Sequence, residues 1–170
     1  MAQIREARSV DVPAITQIQN ALIGSTSYEW REAPHALAGR RAWLAEKQAH
    51  GFPVLVAVDE ESGEVVGWAA YGDFRDSVRW PGYRFVVEHT IHVRRDQWGN
   101  GIGRALLDEL IVRASAAGVR VMIGAIDGTN TRSIEFHARL GFAEVGRLPG
   151  IGDKGGQPLD LVLMQRDLRR

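Results

Sequence analysis

Val86-Val-Glu-His-Thr-Ile-His-Val93, then Arg94-Arg-Asp-Gln-Trp-Gly-Asn-Gly-Ile-Gly103, then Arg104-Ala-Leu-Leu107 is the segment from which the rest of the chain can be read. The first part is β-branched and apolar apart from Glu88, His89, Thr90 and His92, which suits a buried strand. Glycines at 99, 101 and 103 break any regular element, so the chain turns there. From Ile102 to Ala117, Ile102, Leu106, Leu107, Leu110, Ile111 and Ala114 recur at helical spacing. The segment predicts strand, glycine-rich turn, helix. Such a turn lets backbone approach a ligand, and the first amides of a helix lack internal partners and carry partial positive charge. A pyrophosphate fits that place, and Arg104 adds a charge-assisted donor. No G-x-x-x-x-G-K run exists, which excludes a P-loop, and a dinucleotide fingerprint would need glycine where Arg104 stands.

Outward from this segment the punctuation is clear. Gln3–Arg8 predicts a first strand. Asp11 predicts a helix cap, with Pro13 in the first turn and a stripe of Ile15, Ile18, Ala21 and Leu22. Gly24–Ala33 reads as a polar, aromatic loop. Pro34 predicts the opening of a second helix through about His50, stopped by Gly51. Val54–Val58 and Val65–Phe74 read as strands around a turn at Ser62-Gly63, and Arg75–Gly82 as a loop. After the central helix, ended by Gly118, come a strand at Val119–Ile126, a helix at Asn130–Leu140, and strands at Phe142–Arg147 and Leu159–Gln165.

The 170 residues suit one domain, 1–170, with its own core. Basic and acidic residues number 21 each, so the formal net charge is zero. That balance argues against a nucleic-acid partner. There is no cysteine, which excludes disulfides, thiolate metal ligands and an acyl-cysteine intermediate. No apolar run resembles a signal peptide or a membrane span, so no membrane partner and a cytoplasmic location are expected. His89 and His92 face opposite ways on a strand and make no metal pair, so no metal is expected. His89 reads as a hydrogen-bonded core histidine.

Trp98-Gly99-Asn100-Gly101-Ile102-Gly103 closely resembles the acyl-CoA pyrophosphate loop of the GNAT superfamily of N-acetyltransferases, Gln/Arg-x-x-Gly-x-Gly/Ala, with Trp98 where Gln or Arg is usual. The element order β-α-α-β-β-β-α-β-α-β-β matches that fold over nearly the whole chain. The resemblance implies an α/β (α+β) fold with a mixed central sheet of about seven strands flanked by about four helices. A second motif runs from Asn130 through Ser133 and His137 to Gly141-Phe142 and resembles the family's Asn-x-x-Ser/Ala-x-x-x-Tyr-x-x-x-Gly-Phe. The resemblance implies acetyl-CoA as co-substrate, held by Ile91, His92, Val93, Trp98, Gly99, Asn100, Gly101, Ile102, Gly103, Arg104 and Asn130. Asn130 reads equally well as a helix cap. His137 takes the position of a tyrosine that meets the coenzyme sulfur, next to the leaving thiolate.

Transfer of an acetyl group from a thioester to an amine requires a deprotonated amine close to the carbonyl carbon. Without cysteine the expected route is direct attack in a ternary complex. Glu88 is the expected general base, directly or through water, with its pKa raised by desolvation in an apolar strand. The competing reading pairs it with Arg75 or Arg84.

The tail Gly152-x-Lys154-x-Gly156-x-x-x-Asp160-x-x-x-Met164-Gln165 looks like that of the phosphinothricin and methionine sulfoximine acetyltransferases, although Gln157-Pro158 departs from their usual Arg-Trp. That subgroup implies a small amino-acid substrate acetylated on its α-amine and a homodimer. Arg75 and Arg84 are the expected carboxylate partners. Tyr28, Glu29 and Lys154 are expected to close the substrate site, Lys154 in its own subunit or a neighbour's. Acetylation of protein N-termini or lysines, and non-catalytic acyl-CoA sensing, are the alternative readings.

Overall fold

The computed structural model describes residues 2–169. Seven strands and four α-helices alternate in the expected order. They are β1 (Ala2–Glu6), α1 (Val12–Ile23), α2 (Leu37–Ala49), β2 (Val54–Asp59), β3 (Val65–Asp73), β4 (Val86–Val93), α3 (Ile102–Ala116), β5 (Val121–Asp127), α4 (Thr131–Arg139), β6 (Ala143–Lys154) and β7 (Gln157–Asp167). The strands form one mixed sheet in the order β1-β2-β3-β4-β5-β7-β6. Only β4 and β5 pair in parallel among the strand pairs with a registered ladder, because α3 supplies the long crossover that a parallel pair requires.

The chain separates into two compact units. The first comprises residues 1–20, 35–72 and 90–117, and the second residues 21–34, 73–89 and 118–170. In the first, Val12, Ile15, Ile18, Leu44, Val54, Val56 and Trp68 form one buried cluster, with Trp43 edge-on to Trp68 at 5.5 Å between ring centroids. α3 packs on β1 and β2 and buries Leu106, Leu107 and Leu110 completely. Each such side chain contributes roughly 2 kcal/mol relative to exposure. Gly67 on β3 gives α3 room: an added Cβ would lie 3.1 Å from Leu106 and 3.3 Å from Ile102.

In the second unit, β5 pairs with β7 from Val121–Asp167 to Asp127–Leu161, and β6 closes against β7 as a long hairpin. α4 covers β5, β6 and β7, over buried Met122, Phe142, Val162 and Met164. β6 and β7 run well beyond the expected Phe142–Arg147 and Leu159–Gln165. Glycines and Pro149 make that stretch read as loop, but the antiparallel partner holds it extended through register shifts.

Two helix starts differ from expectation. α2 begins at Leu37 rather than Pro34, because the His35 backbone is tied on both sides to the Asn20 side chain, at 2.8 and 3.0 Å. Asp11 does not cap α1. Its carboxylate accepts from the Arg5 guanidinium at 2.7 and 2.9 Å and from the Arg8 amide at 2.7 Å. Burial alone would raise the Asp11 pKa, but these donors together hold it below the usual carboxylate range.

Candidate active site

The glycine turn lies in the first unit. A 3-10 turn at Arg95–Gln97 leads into Trp98, then Gly99 at φ 91° and Gly101 at φ 79°, values that a side chain tolerates poorly. Gly101 is the residue before α3, and the first helical bond runs from the Ala105 amide to the Gly101 carbonyl at 3.0 Å. The amides of Ile102, Gly103 and Arg104 precede that bond and have no carbonyl to meet within the helix. No heavy atom other than the immediate chain neighbours lies within 4 Å of where a Cβ would stand on Gly99 or Gly101, so the turn is open. A row of bare amides at a positive helix end, uncrowded, fits a pyrophosphate.

Two side chains, Trp98 and Arg94, hold this turn. The Trp98 indole donates to the Val93 carbonyl at 2.7 Å, closing the turn back on the end of β4. Arg94 bridges Glu64 and Asp96, each at 2.8 Å. Arg104, an expected pyrophosphate donor, contacts Asp108 at 3.3 Å and is 70% exposed. An exposed pair of this kind is worth little and is easily exchanged for a phosphate.

Glu88 lies in the second unit, half-buried on β4 and opposite Ile123, one pair before the ladder's His89–Gly124 pair. Its neighbours Val87 and His89 point to the other face and are buried. There His89 packs against His137, with 5.0 Å between ring centroids, and against Phe142. Both rings rest on Gly124, whose missing Cβ would stand 3.1 Å from His89 and 3.4 Å from His137. His89 is buried as expected, but it is not hydrogen-bonded: neither ring nitrogen has a partner among the described residues. Burial, reinforced by His137, pushes its pKa down to about 3, so it is neutral.

His137 is also lowered by burial. Its Nδ1 lies 2.7 Å from the Ser133 carbonyl. A carbonyl accepts, so Nδ1 carries the proton and Nε2 presents a lone pair. In this state the His137 proton is engaged by the Ser133 carbonyl, and the buried Nε2 has no hydrogen-bond partner among the described residues.

Asn130 caps α4, its side-chain carbonyl accepting from the Ser133 amide at 3.1 Å. On the loop before α2, Tyr28 is exposed and the Trp30 indole donates to Asp127 at 2.8 Å. Arg75 is exposed beside the Phe74 and Tyr83 rings. Arg84 lies over Phe85, and its Nη1 donates to the Pro81 carbonyl at 2.8 Å. Lys154 was expected at the substrate. Its ammonium instead donates to the carbonyls of Ile23, Thr26 and Glu29 at 2.6, 2.8 and 2.6 Å. Three N–H donors on three carbonyls leave none for a ligand.

The pattern of the acetyltransferase (GNAT) family matches residues 15–142. The chain belongs to the GNAT acetyltransferase family. Within it, the chain is 46% identical over 167 residues to an L-methionine sulfoximine/L-methionine sulfone acetyltransferase of Pseudomonas aeruginosa, covering 98% of this chain and 95% of that protein. A phosphinothricin acetyltransferase from Sinorhizobium meliloti in complex with acetyl-CoA superposes with a TM-score of 0.91 at 36% identity, over 98% and 88% of the two chains. A ribosomal-protein-alanine N-acetyltransferase from Brucella melitensis superposes equally well, TM-score 0.91, at 41% identity over 97% and 99%.

Among the described residues no group of three or more His, Cys, Asp or Glu side chains could hold a metal ion, and no helix is long and apolar enough to cross a membrane. Sequence reasoning about this GNAT chain missed Asp127. It is 4% exposed and accepts from Trp30, from the Thr129 amide at 2.8 Å and from the Thr129 hydroxyl at 2.5 Å. An isolated aspartate ending a β-strand carries no signal of such partners.

Proposed function

We propose that this protein transfers the acetyl group of acetyl-CoA to the α-amine of a small polar amino acid of the methionine sulfoximine, methionine sulfone or phosphinothricin kind. The observation that carries the reading is a half-buried carboxylate, Glu88, on the strand that leads ten residues later into the open amides at Trp98–Arg104. The full-length similarity to the Pseudomonas aeruginosa relative supports the substrate class.

In this reading the amides of Ile102, Gly103 and Arg104 grip the pyrophosphate, and the Nδ2 of Asn130 meets the pantetheine arm. Glu88 takes a proton from the α-ammonium, directly or through one water. The amine lone pair then forms the C–N bond as the C–S bond breaks, and the leaving thiolate takes the second nitrogen proton, directly or through water, and departs as the coenzyme thiol. Arg75, whose exposed guanidinium lies against the Phe74 and Tyr83 rings, receives the substrate carboxylate. Tyr28 borders the amino-acid side chain. His137, neutral and buried, lines the wall beside the sulfur without donating to it. In this reading the enzyme works in the cytoplasm as a homodimer.

A second reading is acetylation of a protein N-terminal alanine, favoured by the similarity to the Brucella melitensis enzyme. A thiol-release assay with acetyl-CoA separates the two. The panel is methionine sulfoximine, methionine sulfone, phosphinothricin, glutamate and an alanine-initiated peptide. Turnover of the first three well above the peptide supports the amino-acid reading, and the reverse order replaces it.

A further inference from the structure

We infer that Lys154 is a positioning residue for the amino-acid substrate: a tethered cation that sets the shape of the Ile23–Trp30 loop without touching the ligand. The inference rests on the proposed amino-acid acetyltransferase reading and says how that site is held.

The loop leaves α1 at Ile23, whose carbonyl is one of the last in the helix and lacks a helical donor. Lys154 supplies that donor from 131 residues away, and takes the carbonyls of Thr26 and Glu29 with its other two N–H groups. An ammonium is also favoured at the negative end of a helix. Three backbone carbonyls around one ammonium fix the chain on both sides of Tyr28, whose ring stays exposed.

The strand that carries Lys154 is built for this contact. Residues 152 and 154 share a face of β6. Gly152 has no side chain, and a Cβ there would lie 2.4 Å from the Trp30 ring. The six-membered ring of Trp30 therefore sits against Gly152 while its indole nitrogen reaches Asp127. Ser27 bonds Thr129 at 3.1 Å, and Thr129 bonds Asp127. The loop is thus stitched to β6 by Gly152 and Lys154, and to the end of β5 by Asp127 and Thr129. Lys154 and Trp30 are thus consumed by the protein, whereas Tyr28 is presented outward.

The absence of cysteine from the natural chain allows a clean test. Lys154→Cys is assayed as made, after alkylation with 2-bromoethylammonium, which rebuilds a lysine-like ammonium, and after alkylation with iodoacetamide, which adds a neutral group of similar bulk. The expected result is a KM for the amino acid raised roughly tenfold, with the KM for acetyl-CoA within twofold of the parent, and recovery after aminoethylation only. Gly152→Ala, which displaces Trp30 and leaves the lysine in place, is expected to show the same split.

Parallel rises in both KM values, no rise, or equal recovery with iodoacetamide would overturn the inference. If the parent protein acetylates none of the amino acids offered, the substrate reading fails. The latch is then judged by amide hydrogen exchange over residues 24–30. Faster exchange in Lys154→Cys that reverses on aminoethylation supports it, and unchanged exchange refutes it.

Discussion

The turn at Trp98–Arg104 and the loop at Ile23–Trp30 are built on opposite principles. In the turn, side chains hold the frame and the first helical amides are left without helical partners: Trp98 is spent on Val93 and Arg94 on Glu64 and Asp96, while the N–H groups of Ile102, Gly103 and Arg104 precede the first helical bond. In the loop, backbone carbonyls are consumed by one lysine and a side chain, Tyr28, is left open. The first arrangement suits a ligand with a fixed phosphate geometry, which backbone can match without sequence variety. The second suits a ligand chosen by its side chain. The two regions therefore should fail differently when altered.

Glu88 belongs to neither region, and its loss gives the largest expected effect. Glu88→Gln should lower kcat at pH 7 by about a hundredfold or more, with both KM values little changed. The loss should shrink as pH rises and amines deprotonate unaided. A pH–rate profile identical in shape to the parent's would remove Glu88 from the base role. Next, Gly101→Val forces a β-branched residue into the left-handed region, at a cost of about 1–3 kcal/mol. Calorimetry should show acetyl-CoA binding weakened at least tenfold, with the amino-acid KM unmoved at saturating coenzyme. An unchanged coenzyme affinity would break the contrast drawn above.

Trp30→Phe sharpens it from the other side. The ring still packs on β6, but the bond to Asp127 is lost and a buried carboxylate oxygen is left short of a donor. The amino-acid KM should rise severalfold, about 1 kcal/mol, and the acetyl-CoA KM should stay put.

The histidine pair gives a signature in stability rather than in either KM. His89 has a folded-state pKa near 3, below its unfolded value, so between about pH 6.5 and 3 the unfolded chain binds more protons. Stability therefore falls as pH falls through that window, by at most about 1.4 kcal/mol per pH unit for one proton. His89→Leu should flatten that acid limb in urea titrations at pH 7, 6, 5 and 4. A limb as steep as the parent's would mean that His89 is already protonated in the folded protein. Smallest is Trp98→Phe, which deletes one bond to the Val93 carbonyl and should weaken coenzyme binding by only two- to fivefold.

Much of the frame was legible because it is local. Glycines at 99, 101 and 103 beside an amphipathic helix specify a turn with bare amides wherever they occur. The alternation through Val87, Glu88 and His89 puts one carboxylate and one buried histidine on opposite faces of any strand. The start of α2 was misread because Pro34 normally opens a helix, and Asn20 overrides that preference from 15 residues away. The length of β6 was misread because glycine and proline argue for loop until a partner strand holds them.

The amino-acid sequence by itself determined the element order, the glycine turn before α3 and the carboxylate on its strand, since each follows from neighbours a few residues apart. Only the tertiary structure decided what Lys154, Trp30 and His89 do. Their partners lie 125 to 131 residues away for Lys154, 97 for Trp30 and 48 for His89. Burial and hydrogen bonding across such separations are set by packing, and no spacing along the chain encodes them.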